Sequence, residues 1–561
     1  MIIIMNFFKN ILNSLTNQEK EYKFTIPIKE NNSDAPSPED LIKKQKVYSS
    51  LDVNLEYVYS RFNTLMNSDI KIRKFLLNVK SREFKAFILY IDGMVSKESI
   101  NDFILKPLML KNIANQYDGK QVVSEAVASN ILIRKVKKFN VVEYISDSLL
   151  PQNDIEKVDS FDKIAEDVAS GNCILFVDTV NFAFDIDVKS FETRSIAEPK
   201  NEQVILGSQE AFVENLRTNT SMIRRNLCNE SLVVESLDIG NKNKTKCAVC
   251  YLKNVANADL VAEVKFRLNN IDVDYITSIG ELSQLIVDDI STTLPEILLT
   301  ERVDKAIGNL LQGRVCVICN GNPYVMIMPV TIFDFMSTPE DTSINHIFAN
   351  LLKVIRGISF FITLLLPGLY IAITTYHGEL IPSELLFSIV ASRSTVPFVV
   401  IVEIGLMELS FEIIREAGVR VPSPLGPTVG IVGALILGQA AVEADIVSPI
   451  LIIVIAITGI TSFSIPDYSL SFHLRIERFI YILLGAFAGF LGIGIGLYLY
   501  LVTLCSLKSF GVSYLSPYAP LAVKGETRYL LKPAWKREKR NAFLDPKNKQ
   551  IQDHISMKWR K

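Results

Sequence analysis

The chain has 561 residues, 49% of them hydrophobic, with 59 Lys and Arg against 61 Asp and Glu for a formal net charge of −2. That balance gives no electrostatic footing for nucleic acid, and seven cysteines in a chain this long make no disulfide framework. The average conceals a division: residues 358–506 hold 15 charged residues in 149 positions and no lysine, while the rest is as charged as an ordinary soluble protein. The pattern is a soluble portion of several hundred residues, a membrane portion and a basic tail. It excludes a purely soluble enzyme and a disordered chain.

The opening stretch MIIIMNFFKNIL lacks the leading positive charge and small-residue cleavage site of a signal peptide, so the soluble portion is expected in the cytoplasm. Residues 1–40 are polar and without period, and read as a mobile arm. From 41 to 345 short apolar strands alternate with amphipathic helices, the pattern of an α/β domain, and a break at 149–155 divides it into subdomains 41–150 and 151–345. Residues 84–91 read as a buried strand, and 96–105 as a helix capped by Ser96 and stopped by Pro107. A helix over 161–168, a turn at Gly171-Asn172 and a strand over 173–177 lead into a hairpin over 178–188. A long helix is predicted over 212–227. Strands follow at 231–237, 246–252, 314–318 and 324–330, the last ended by Pro329.

The membrane portion, 346–510, carries apolar runs at 357–374, 396–411, 427–442, 447–466 and 479–506. A span needs about 20 apolar residues. The last run is long enough, at about 42 Å, for one tilted helix and short for two. Lys353 and Arg356 precede the first run, and 13 Lys and Arg against 4 Asp and Glu follow from Lys508 to Lys561. Both flanks are therefore expected on the cytoplasmic side, next to anionic lipid, with a basic tail over 511–561. That requires an even number of crossings, four or six; 381–396, with Arg393 inside it, is a candidate extra half-span.

Cys247-x-x-Cys250 and Cys316-x-x-Cys319 have metal-ligand spacing. Each pair lies in an apolar strand pattern, however, where residues three apart point to opposite faces, so core packing is the better reading. The four histidines are scattered, no phosphate-binding loop is present, and Gly492-x-Gly494-x-Gly496 sits in an apolar membrane run. No catalytic, cofactor or metal site is expected. Gly485, Gly489, Gly492 and Gly496 fall on one stripe of a helix, and Gly426, Gly430 and Gly433 on another; such stripes pack membrane helices, within one chain or between copies. Glu403, Glu408, Glu412 and Glu416 lie in or beside the second apolar run, with Glu443 closing the next. An ionised side chain in hydrocarbon faces a partner or water. Glu408, Glu412 and Glu416 share a face that either lines a wet cavity or is neutralised locally by Arg415, and Glu403 points away from it.

Several blocks then carry a resemblance: Pro382-x-Glu384-Leu385-Leu386, Met407-Glu408-Leu409, Arg415-Glu416-Ala417-Gly418-Val419-Arg420-Val421-Pro422, Gly438-Gln439-Ala440-Ala441 and Val447-Ser448-Pro449. Upstream, Glu214-x-x-x-x-Asn219, Ile223-Arg224-Arg225, Thr300-Glu301-Arg302 and Gly313-Arg314 join them. Together the chain resembles the A subunits of GerA-type spore germinant receptors from about 84 to 520. The resemblance implies a multi-pass protein of the spore inner membrane with a cytoplasmic α/β domain. Its implied partners are a transporter-like B subunit and a lipoprotein C subunit, besides membrane lipid and further copies of itself. The implied function is conversion of nutrient sensing into germination, with an oligomeric, monovalent-cation-conducting role; the face of Glu408, Glu412 and Glu416 is compatible with lining such a conduit. The alternatives are a non-conducting scaffold of the same complex and a solute transporter.

Overall fold

The computed structural model describes residues 46–79, 82–109, 145, 150, 151, 155–190, 199, 201–420, 438–519, 529–533, 537 and 539–551. The arm 1–40, the glycines Gly426, Gly430 and Gly433, and most of the run 427–442 lie outside them.

Short links decide how the strands pair. β1 (Ile70–Val79), β2 (Arg82–Ile91), β3 (Ile155–Val158), β4 (Cys173–Val177) and β5 (Ala183–Ile186) form one sheet in the order β1-β2-β4-β5-β3. β6 (Leu232–Ile239), β7 (Thr245–Leu252), β8 (Leu298–Thr300), β9 (Val315–Cys319) and β10 (Val325–Met328) form a second in the order β6-β7-β9-β10-β8. Every pairing is antiparallel. The links from β4 to β5 and from β9 to β10 have room for a turn but not for the dozen residues of a parallel crossover. The expected α/β domain is therefore antiparallel and of the α+β kind. The two sheets repeat one strand order, and a helix ending at a glycine in the left-handed region precedes the equivalent strand in each: Gly171 (φ +100°) before β4, Gly313 (φ +96°) before β9.

Among the helices that pack on these sheets are α1 (Phe161–Ser170), α2 (Leu216–Asn226) and α3 (Val303–Leu311). α2 begins later than expected, because the Asn219 side chain bonds both the N–H and the C=O of Val213 and holds that stretch extended; Asn215 then caps the helix. Pro107 does not stop its helix. A π turn at Ile100–Leu105 precedes it, and Pro107 enters the segment Lys106–Met109 in its first turn, where its missing donor costs least. The break expected at 149–155 falls within the first sheet, since β1 and β2 precede it and β3 to β5 follow it; pairing of β2 with β4 spans it. The boundary between the two sheets lies instead between β5 and β6. Across it the buried Arg224 guanidinium holds Asp69 at 2.8 and 3.0 Å and Asn67 at 3.2 Å, while Asn67 and Ser68 bond the backbone of Val234.

The second half is helical: α4 (His346–Tyr376), α5 (Ser383–Arg393), α6 (Val400–Arg420), α7 (Pro449–Phe463) and α8 (Tyr468–Ser506). Among the described residues α4 and α8 are long and apolar enough to cross a membrane. One apolar core runs from a face of the second sheet, at Leu232, Cys250 and Ile318, into α4 and α8 at Leu364, Leu474 and Tyr500.

α8 is not the single tilted rod its run predicts. Gly489 has φ +58° and ψ −137°, and the chain doubles back there. His473 Nε2 consequently meets the Tyr500 hydroxyl at 3.1 Å, and Gly496 packs on Leu484 and Tyr481. The glycines thus do not form one stripe on one helix. Gly489 makes the turn, Gly492 and Gly496 let the returning half lie on the first, and Gly485 lets the first half touch α4 backbone to backbone. A Cβ on Gly485 would lie 2.5 Å from the Gly368 carbonyl oxygen. All these contacts are within one chain. Gly489→Ala is expected to cost about 1–3 kcal/mol, read as a lowered unfolding midpoint of the detergent-purified chain by circular dichroism. The backbone conformation there is nearly glycine-only, and the added methyl would meet the His377 ring at 3.0 Å.

Candidate functional site: a buried charge cluster

Successive residues on an α-helix turn by about 100°, so Glu408 and Glu412 of α6 lie near one face, and Arg475 and Arg478 of the first half of α8 near another. The two faces meet. Arg478 Nη2 lies 2.7 Å from Glu408 Oε2 and 3.4 Å from Glu412 Oε1, and Arg475 Nη1 lies 2.8 Å from Glu412 Oε2. Glu408 is 0% exposed and Arg478 1%. Arg415, one turn along α6, is 3.9 Å from Glu412, donates to the Ser462 hydroxyl of α7 at 3.0 Å, and lies over the Phe463 ring at 4.3 Å. Arg475 lies over the Phe472 ring at 4.9 Å. Guanidinium groups suit such a place because they are weakly hydrated and stack on aromatic faces.

Buried ions cost several kcal/mol each to desolvate, and the pairs offset this only where hydrogen bonding is complete. Here it is not. Neither Glu408 oxygen accepts a well-aligned hydrogen bond among the described residues, and Arg475 Nε, Arg478 Nε and Arg415 Nη1 donate none. The cluster is closed by charge rather than by saturated hydrogen bonds. It holds no nucleophile beside a base and offers positioned charge, not covalent chemistry.

The expected acidic face is thus divided. Glu408 and Glu412 come together. Glu416 does not join them: it is exposed and pairs with Arg420 at 2.7 Å, because each step of four residues drifts by about 40° around the helix. The local Glu412–Arg415 pair is present but longer than the two cross-helix contacts to Arg475 and Arg478. Glu403 points elsewhere, as its spacing predicts, and binds Arg393 of α5 and the Ser448 N–H, both at 3.3 Å. Glu443 accepts from Gln439 at 2.9 Å. Arg475 and Arg478 escaped the sequence reading because they precede the last apolar run. Their signal was an Arg-x-x-Arg pair one turn ahead of that run, matched to the Glu-x-x-x-Glu pair of α6.

A second feature joins this helix bundle to the second sheet. In the loop between Ile279–Ile286 and β8, the Thr293 hydroxyl is 2.6 Å from His473 Nδ1, whose other nitrogen meets Tyr500. The same loop receives the turn after α8: Ser509 Oγ donates to the Glu296 carbonyl, the Tyr514 hydroxyl to the Pro295 carbonyl, and the Phe510 N–H to Asp288. The Glu296 carboxylate, 2% exposed, accepts the N–H groups of Asp288 and Asp289. Burial, with the Asp288 charge beside it, pushes this carboxyl up to about 8.

Two outcomes follow. Arg478→Ala strands the Glu408 carboxylate in a dry site, Glu412 keeping Arg475, and is expected to cost about 3–5 kcal/mol, measured as the unfolding midpoint in detergent. Glu408→Leu combined with Arg478→Met recovers most of that loss, since an apolar pair of similar size needs no compensation. At Glu296 the folded chain holds a proton that the unfolded chain releases near 4.5. Stability present below that value is therefore lost as pH rises through about 8, by a few kcal/mol in total. Melting curves between pH 5 and 8.5 should show this slope, and Glu296→Gln should flatten it.

The family profile described as Bacillus/Clostridium GerA spore germination protein matches residues 56–543. Spore germination protein KA of Bacillus subtilis (strain 168) is 37% identical over 484 residues, covering 86% of this chain and 85% of that protein. Spore germination protein GerLA of Bacillus cereus is 31% identical over 465 residues, covering 83% and 90%. Among solved structures, the N-terminal domain of the A subunit of the Bacillus megaterium spore germinant receptor GerK3 is 29% identical, with a TM-score of 0.38, covering 51% of this chain and 96% of that one. With a profile match over most of its length and relatives of this identity and coverage, the chain belongs to the GerA spore germination protein family.

Proposed function

We propose that the chain is the membrane subunit of a spore nutrient-germinant receptor that converts nutrient sensing into a cation movement across the spore inner membrane. In this reading it works beside a transporter-like B subunit and a lipoprotein C subunit, as one of several identical copies, with its two sheets in the cytoplasm. The hairpin at Gly489 supports that orientation, because it returns the chain after α8 to the side of the second sheet. The observation that carries the proposal is the Glu408–Arg478 pair: a fully buried, incompletely bonded ion pair on a helix that is tied through His473 to Thr293, in the loop leading to β8 of the second sheet. At rest the pair seals the path. A partner that favours the open arrangement separates α6 from α8 and leaves Glu408 and Glu412 facing water, where carboxylates favour cations.

A second reading, a non-conducting scaffold, is favoured by the complete burial of Glu408. Glu408→Ala distinguishes them, since Arg478 keeps Glu412 at 3.4 Å and the bundle stays paired. In spores carrying this variant, monovalent-cation release on nutrient addition is expected to slow several-fold, with co-purification of the partner subunits unchanged. Wild-type release would remove Glu408 from the path and leave the scaffold.

A further inference from the structure

The two Cys-x-x-Cys motifs meet across one pair of strands. In the register of β7 with β9, Cys247 stands opposite Cys319 and Cys250 opposite Cys316. The Asn320 N–H donates to the Lys246 carbonyl at 2.9 Å, which makes 246 and 320 a hydrogen-bonded pair. By alternation 247 and 319 are a non-hydrogen-bonded pair, whose Cα atoms approach to about 4.5 Å, whereas 250 and 316 are a hydrogen-bonded pair about 1 Å wider. Both spacings lie within the range that a disulfide spans, so the sulfur positions choose between the sites. Cys247 Sγ and Cys319 Sγ are 3.0 Å apart, packed in the apolar layer with Val249 and Val317 on one face of the sheet. Cys250 and Cys316 lie on the other face. Cys316 Sγ points instead at the Ala306 carbonyl, 3.9 Å away.

We propose that Cys247 and Cys319 are a redox modification site, a dithiol that a small peroxide converts to a cross-strand disulfide stapling β7 to β9. One sulfur, after losing its proton, attacks a peroxide oxygen; the O–O bond breaks, water leaves, and a sulfenic acid remains. The second sulfur attacks that sulfur, the S–O bond breaks, the S–S bond forms and a second water leaves. In sum two thiols and one hydrogen peroxide give a disulfide and two waters, the sulfurs losing two electrons and the peroxide gaining them. The oxidant has to be small and neutral, because Cys247 is 0% and Cys319 1% exposed. The neighbouring Cys247 sulfur, and then burial, push the Cys319 thiol up, which slows its reaction.

The test uses the full chain in detergent, as wild type and with Cys250→Ala and Cys316→Ala combined so that a single linkage between the two strand peptides is possible. After hydrogen peroxide, remaining thiols are alkylated under denaturing conditions and unreduced peptides are weighed. A linked pair of peptides two hydrogens lighter than their sum is expected in both proteins. It should be absent from Cys319→Ala. Glutathione disulfide, too large for the site, should leave Cys247 and Cys319 unmodified while reacting at the exposed Cys228 and Cys505. Alkylation of both Cys247 and Cys319 under conditions that oxidise Cys228 and Cys505 would overturn the proposal, as would linkage through Cys250 and Cys316. A glutathione adduct on Cys247 or Cys319 would overturn the size selectivity.

Discussion

A carboxylate sealed from water is either protonated, as burial favours at Glu296, or answered by a cation, and for Glu408 the cation comes from another helix. Glu408 of α6 and Arg478 of α8 form the pair, Glu412 and Arg475 extend it, and Arg415 ties it to α7 through Ser462. Removing Arg478 leaves Glu408 with a charge that the surroundings cannot solvate, whereas removing Glu408 leaves Arg478 paired with Glu412. The unsaturated hydrogen bonding of the Glu408–Arg478 contact leaves part of its desolvation cost uncompensated. In the proposed function this element has two arrangements, the paired one described and a parted one that the trigger favours.

The rest of the architecture gives that element something to respond to. Gly489 folds α8 into a hairpin, so both halves of it return to the second sheet. The first half presents His473 to Thr293, and the turn beyond the second half presents Ser509, Phe510 and Tyr514 to the loop that holds Asp288 and Glu296. Arg478 stands little more than one turn from His473. The contact to that loop and the cluster's arginines therefore lie on one stretch of helix. The first sheet joins the same line through Arg224 and Asp69.

Much of this was legible in the residues. Strand positions in both sheets follow from apolar runs bounded by Gly and Asn, and the opposite-face reading of each Cys-x-x-Cys pair holds because side chains alternate on a strand. Strand pairing was not legible, since β2 meets β4 across some eighty residues that no local pattern connects. At the site, the embedded acids announced themselves by their rarity, but their partners did not. Arg475 and Arg478 sit among polar residues just ahead of an apolar run, where a charge is unremarkable until the opposing helix is known. The glycine spacing was read on an unbroken helix, and the backbone turn at Gly489 reassigns all four residues. The soluble blocks that carry the family resemblance are structural ties: Asn219 bonds Val213, Arg302 holds the Glu202 and Ser208 carbonyls, and Arg314 meets Asp334.

The central claim is that the ion pair between α6 and α8 parts, and admits water, when the receptor is triggered. The most direct measurement places single cysteines along 401–416, in a chain lacking the exposed Cys228 and Cys505, and records their reaction with a membrane-impermeant, hydrophilic thiol reagent before and after nutrient addition. The account predicts that positions on the face of Glu408 and Glu412 are unreactive at rest and become reactive on triggering, while the opposite face does not change. Silence on that face throughout, in spores that germinate normally, would contradict it.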